Sequence, residues 1–468
     1  MTRLPLSLVA VALISGAVAF GQGAGSYDLV LAGGRVIDPD SGLDAVRHVG
    51  ITGDRVRAVS ASPLQGRVTI DAAGLVVAPG FIDLHQHGQT SKDYELKAAD
   101  GVTSTFELEV GVADIDAWYA ARSGKSAINY GASIGHVAVR IKVMGDPGVL
   151  LPSGPAGSRE ATDAEVEQIK AGVRRGLERG AVGVGFGIAY TPQAVRTEIL
   201  DVFVEAGRAG VPAFVHMRDG DAMAATQEVL ALAVVTGTPL HIVHVQSTGR
   251  QQTADVLRLI AMARERGMDV TTEMYPYTTG ASKIEASRYD NWEQYPDARF
   301  QDFFWPATGE RLTRELFAKY RKIGGTMIYP VNSEDVVSLA LAHPLTMIAS
   351  DGGPMHPRGS GTYAKVLGRY VREQKALTLV DALRKMTIMP ARRLEKLIPA
   401  MLRKGRITVG ADADITVFDP ERVIDAATYE APATASIGIQ HVLVGGTFVV
   451  RDARLQAGVF PGHGIRAR

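Results

Sequence analysis

From Asp28 to about Thr69 the chain runs in short β-rich segments, DLVLAGGRVID, HVGITGDRVRAVSA and RVTIDA, separated by glycine and aspartate turns. The same texture returns after residue 403 in GRITVGADADITVFDP and QHVLVGGTFVVRDARL. Between these ends, strand-like apolar runs alternate with helical patterns. TDAEVEQIKAGVRRGLERG reads as a helix, with Thr162 and Glu165 placed as a capping box and Gly180 just past the last turn, and AVGVGFG follows as a short buried strand. Two further units run from TEILDVFVEAGRAG into PAFVHM and from TADVLRLIAMARERG into MDVTTEMYPY. Strands that alternate with helices pair in parallel.

Candidate strand ends fall near His87, Glu109, His136, Gly187, His216, His244, Glu273 and Asp351, the set of eight that a closed barrel requires. The expected fold is α/β: a (β/α)8 TIM barrel over residues 76–401, with a small composite β-sandwich domain built from residues 20–75 and 402–468. The long gap before Asp351 demands an insertion, placed at about residues 280–325. There RYDNWEQYPDARFQDFFW concentrates aromatic side chains in a chain that is only 6% aromatic. Such a segment suits either a lid that offers apolar surface to a substrate, or a satellite core or oligomer contact.

Composition narrows the partners. The 468 residues are 46% hydrophobic and 21% charged, which is ordinary for a globular chain. Fifty basic and fifty acidic residues cancel, and without a dense basic stripe nucleic acid is not expected as a partner; a small molecule is. A homo-oligomer stays open. The opening stretch MTRLPLSLVAVALISGAVAFGQ places Arg3 before an apolar run ending in Ala17-Val18-Ala19, the layout of a secretory signal. Cleavage after Ala19 and export, to the periplasm or beyond, are expected. The alternative is an uncleaved anchor, disfavoured because the run is shorter than the ~20 residues a span needs. No later segment is long and apolar enough to span, so no membrane association is expected after cleavage. With no cysteine, any metal site must use histidine, carboxylate or modified lysine.

FIDLHQHGQT sets His85 and His87 one residue apart, on one strand face by alternation. That is a weak signal alone. PAFVHMRDGD adds His216, LHIVHVQS adds His244 and MIASDGG adds Asp351, each at the carboxyl end of a strand, where (β/α)8 barrels build their sites. Imidazole and carboxylate together suit Zn²⁺, as one or two ions. STFELEVG turns Glu107 and Glu109 inward together, a costly arrangement without a cation. Glu109, nearer the mouth, is chosen as the ligand, with Glu107 behind it; the reverse assignment remains open. His136 and His241 are read as structural or supporting residues.

PGFIDLHQH, the strand-end histidines and ASDGG resemble the amidohydrolase superfamily. GIAYTP, AFVHMRDGD, EMYPYTTGAS, SDGGPMHPRGSGTYAKVLGRYVRE and KMTIMPARRL are similar to the N-acyl-D-amino-acid deacylases, the D-aminoacylase family. The likeness runs from about Leu29 to Asp419. It implies that His85, His87, His216 and His244 hold metal and that Asp351 is the catalytic acid–base. It further implies that Tyr190, Tyr277, Ser282 and Arg358 hold the substrate carboxylate, a task that suits the planar fork of arginine. The chain departs from that family twice. The family's bridging cysteine falls on Val110 in an ungapped comparison, so assigning the bridge to Glu109 assumes a shift of one residue. Gln246 stands where the family often has lysine, which argues against acidic substrate side chains. The resulting expectation is a zinc-dependent deacylase of N-acyl-D-amino acids with neutral or apolar side chains. An amidohydrolase acting on dipeptides, cyclic amides, N-acyl-L-amino acids or arylamides is the alternative, and a non-catalytic barrel scaffold is more remote.

Overall fold

The computed structural model describes residues 26–467; the expected export signal lies outside them. Eight parallel strands form the central sheet. They are β1 (Phe81–Asp83), β2 (Val102–Val112), β3 (Asn129–Gly135), β4 (Val184–Gly187), β5 (Ala213–His216), β6 (Leu240–Ile242), β7 (Val270–Met274) and β8 (Thr346–Ile348), each paired with the next. The helices anticipated between them are present. Asp163–Glu178 starts with the expected capping box, in which Glu165 N–H donates to Thr162 Oγ1 (3.3 Å) and Thr162 N–H donates to Glu165 Oε2 (2.8 Å). Arg196–Ala209 leads into β5 and Thr253–Glu265 into β7. Apolar faces of these helices and the strands share one large core that includes Phe186, Phe203, Val215, Ile242 and Val256.

Closure between β8 and β1 relies on a buried carboxylate. Asp83 accepts from Ser350 N–H (3.0 Å), from Ser350 Oγ (2.6 Å) and from His85 N–H (3.2 Å), while Lys97 Nζ sits 2.9 Å away. Both Asp83 and Lys97 are fully buried. Just beyond, Gln86 and Gly352 form a parallel bridge, and His87 N–H donates to the Gly352 carbonyl (2.7 Å). The segments bearing His85, His87 and Asp351 are thereby tied together before any ligand is considered.

Both chain ends contribute to a second, nine-stranded sheet, as their β-rich texture implied. One position moves. Val76–Pro79, inside the barrel span by the sequence division, pairs instead with Tyr27–Asp38 and with Ile415–Phe418 in this sheet, so the barrel proper begins at Phe81. The insertion contributes a four-stranded sheet built on Thr279–Lys283 and Thr326–Pro330. None of its aromatic side chains lines the cavity beside the barrel mouth. Tyr289, Phe300, Phe303 and Trp305 pack with Phe317 and Tyr320 into a core of their own, which rests on Val137 and Ile141 of the barrel.

Lys97 is the only cation within ion-pair distance of Asp83 among the described residues. Lys97→Met should therefore destabilise the protein by about 3–5 kcal/mol through the stranded buried charge. Denaturant unfolding checks this, and a loss below roughly 1 kcal/mol would mean that the pair does not hold the closure.

Candidate metal centre and its cavity

The side chains expected from five strand ends converge. Glu109 is 1% exposed, and its two oxygens face different imidazole pairs. Oε2 lies 3.2 Å from His85 Nε2 and 3.0 Å from His87 Nε2, and Oε1 lies 2.6 Å from His216 Nδ1 and 3.1 Å from His244 Nε2. Asp351 Oδ1 stands 3.5 and 3.4 Å from the His85 and His87 Nε2 atoms. The backbone is strained at two of these residues, His244 at φ 31° and Asp351 at φ 48°, a region that non-glycine residues adopt only when their surroundings enforce it.

Two carboxylates set the imidazole tautomers. Glu273 Oε1 is 2.6 Å from His85 Nδ1, and Glu107 Oε2 is 2.8 Å from His87 Nδ1. Burial disfavours the charged form of Glu273, yet His85 and His241 outweigh it and hold its pKa at about 2. In the neutral imidazoles an acceptor placed at Nδ1 keeps the proton there, so the Nε2 lone pairs point inward. Those two Nε2 atoms are only 3.1 Å apart, with no proton to share in the neutral form. Glu107 thus lies behind His87, on the side of its Nδ1. Glu273 was legible only as a strand end. Its partner is supplied by a segment 188 residues earlier in the chain.

How Glu109 reaches this place depends on a bulge. Between the Glu107–Ala132 and Val112–Ile134 pairs, β2 takes several more residues than β3. The extra length turns Glu109 toward the imidazoles and leaves Val110 on the cavity wall. Gly185 accommodates the bulge, because a Cβ there would come within 2.5 Å of the Leu108 and Glu109 carbonyl oxygens.

The donors fit a metal ion. A tetrahedral site with bonds of ~2.0 Å has donor–donor edges of roughly 3.3 Å. The separation of His85 Nε2 from His87 Nε2, and those of both nitrogens from Glu109 Oε2 and from Asp351 Oδ1, run from 3.0 to 3.5 Å. Glu109 Oε1 lies near both His216 and His244, and His85, Glu109 and His244 form a second group of donors close enough to share an ion. The electrostatics agree: burial alone would lower the pKa of His85, but Asp351, Glu109 and Glu273 push it up to about 10, so the cluster favours cations. His136 and His241 stand apart from the donors. His136 pairs with Glu198 (2.7 Å) beside Arg140, and His241 with Glu273 (3.1 Å).

A cavity of about 790 Å³ opens beside the cluster. Asp351, Tyr190, Ser282 and Arg358 line it. Arg358 is 3% exposed, its Nη1 lies 3.0 Å from Asp351 Oδ2, and neither Nε nor Nη1 has an aligned hydrogen-bond acceptor. The ion pair is thus one of proximity without hydrogen-bond direction. Ser282 Oγ is likewise buried and unpartnered. Tyr277 departs from the expectation. It does not line the cavity; its buried hydroxyl points toward Gly361, and Lys365 Nζ lies 4.2 Å over its ring. Burial opposes ionisation of Asp351, but Arg358 and His85 hold its carboxyl below the usual range. Tyr190, with its hydroxyl 3.4 Å from Glu109 Oε1, is pushed well above the ordinary phenol range by burial and by Glu109.

A parallel barrel with imidazoles and carboxylates converging at the carboxyl ends of its strands defines a barrel hydrolase. Comparison with known proteins gives the family. Residues 68–450 match the model of the amidohydrolase family, and the chain belongs to it. It is 33% identical to the N-acyl-D-glutamate deacylase of Alcaligenes xylosoxydans xylosoxydans, covering 91% of this chain and 94% of that one. It is 29% identical to the D-aminoacylase of the same organism, over 91% and 95%. The crystal structure of the N-acyl-D-glutamate deacylase from Bordetella bronchiseptica, complexed with zinc and a phosphonate mimic of the tetrahedral intermediate, superposes with a TM-score of 0.79 at 28% identity, covering 95% and 100%.

The two glutamates of β2 can be told apart. Glu109→Gln should strip most bound divalent metal, as read by elemental analysis after dialysis, whereas Glu107→Gln should lower metal affinity by about 10- to 100-fold without abolishing it. A metal-loaded Glu109 variant beside an empty Glu107 variant would reverse the roles.

Proposed function

We propose that the protein hydrolyses the amide bond of N-acyl-D-amino acids, using one or two Zn²⁺ ions held by His85, His87, Glu109, His216, His244 and Asp351. The observation that carries this reading is Glu109, whose two oxygens are shared between two imidazole pairs beside an arginine-lined cavity. The names of the relatives support the same substrate class. When bound, the metal supplies Lewis acidity that polarises a carbonyl and acidifies a water. Arg358 and Ser282, each with unsatisfied buried donors, hold the substrate carboxylate and so orient the amide. Asp351, kept ionised, accepts a proton from the attacking water as its oxygen joins the acyl carbon, and returns that proton to the nitrogen as the C–N bond breaks. Tyr190, kept protonated, donates toward the oxygen that gains charge.

Neutral or apolar side chains remain the first choice. Gln246 is fully buried, donates to the Tyr275 carbonyl (3.0 Å) and places no cation in the cavity. Lys142 and Lys283 line that cavity without an ion pair among the described residues, and they favour an acidic side chain as the second reading. Export rests on the first 19 residues; amino-terminal sequencing of protein from the extracytoplasmic fraction should begin at Phe20, and an intact Met1 there would refute cleavage.

Among matched D and L pairs of N-acetyl-methionine and N-acetyl-glutamate, D-methionine derivatives should turn over fastest. Exclusive turnover of L substrates or of cyclic amides would reject the proposal. Asp351→Ala, compared at equal metal content, should lower kcat by roughly 10²- to 10⁴-fold.

A further inference from the structure

The roles assigned to Arg358, Ser282, Tyr190 and Asp351 leave one wall of the cavity unused. Val110, Val112, Ile141, Val149, Leu150 and Leu151 line it, from the end of β2, the helix after β3 and the loop that follows. Val149 is 99% exposed, more than any other large apolar side chain among the described residues.

The loop that presents Val149 is pinned. The Asp146 carboxylate accepts from the N–H groups of Gly148 (2.8 Å), Ser153 (2.9 Å) and Ala156 (2.9 Å). The Pro152 carbonyl accepts from Ser287 N–H (2.8 Å), which joins the loop to the insertion. A side chain on a slack loop would fold back against protein. This one is held out by hydrogen bonds on both sides, at the edge of a cavity, and an apolar group so placed gains only when something apolar covers it. The volume agrees, since about 790 Å³ lies toward the upper end of the ~300–1,000 Å³ that hold drug-sized ligands. An acetylated amino acid would leave this wall wet.

We propose that this wall is the acyl subsite and that it takes a medium or long linear aliphatic chain, so that the preferred substrates are lipophilic N-acyl amino acids. The inference rests on the deacylase reading above. Hydrolysis then adds the water oxygen to the fatty acyl carbon and returns the proton to nitrogen, releasing a fatty acid and a free amino acid.

The test measures kcat/KM of the metal-loaded enzyme for N-acetyl, N-butanoyl and N-octanoyl derivatives of D-methionine and D-glutamate. Each methylene buried is worth about fourfold, so the octanoyl substrate should exceed the acetyl one by at least about tenfold. Replacing two methyl-rich side chains by Val149→Ser with Leu150→Ser should reduce the octanoyl-to-acetyl ratio by at least about fivefold. These positions belong to a surface loop, and an unchanged thermal transition will show that the variant is folded. Equal kcat/KM at all chain lengths, or a double variant with the parent's ratio, overturns the acyl subsite and leaves the deacylase reading standing. No turnover of any acyl length overturns both.

Discussion

The site depends on a single buried carboxylate that is shared by two pairs of imidazoles. Glu109 sits at 1% exposure with four ring nitrogens within 3.2 Å of its oxygens. Burying a carboxylate is tolerable only when positive charge or hydrogen-bond donors surround it. Two of those imidazoles, His85 and His87, have their outer nitrogens tied to further carboxylates, Glu273 and Glu107. In their neutral form these two rings present inner lone pairs toward one another, an arrangement that a divalent ion stabilises.

The fold supplies the supports for that carboxylate. The β2 bulge swings Glu109 into the barrel mouth, and glycine on β4 leaves room for the bulge. The Asp83–Lys97 pair and the Ser350 hydroxyl lock β8 against β1, so that Asp351 and the two histidines of HQH arrive at a fixed separation. Backbone strain at His244 and Asp351 falls at two of the converging side chains, where packing has to enforce geometry that local preference opposes. Arg358 then links the cluster to the cavity, with one nitrogen beside Asp351 and donors left over for a ligand.

Much of this was legible along the chain, for identifiable reasons. The eight strands and the Thr162–Glu165 cap follow from local periodicity and hydrogen-bond chemistry; the cap is where the pattern put it, and the strands end within a few residues of the expected positions. His85 and His87 were noticed through alternation on a strand; the strand in fact ends at Asp83, and bridges to Glu107 and Gly352 set their direction. What escaped depends on distant partners. Glu273 looked like any residue at a strand end because the ring it orients belongs to β1's extension. Val76–Pro79 has the apolar texture of a barrel strand, and only its pairing with Ile415–Phe418 assigns it to the other sheet. Tyr277 shared a sequence block with real cavity residues and yet turns toward Gly361. The aromatic insertion allowed two readings, and its burial as a separate core favours packing over substrate contact.

The central claim is that Glu109 bridges the two imidazole pairs through metal. Anomalous diffraction at the zinc edge, from crystals of the zinc-loaded protein, tests it most directly. The account predicts an anomalous peak within ~2.0–2.2 Å of a Glu109 oxygen and of the His85 and His87 Nε2 atoms. Any second peak should lie beside His216 and His244. A peak coordinated by Glu107 with Glu109 turned away, or zinc bound outside the barrel mouth, would contradict it.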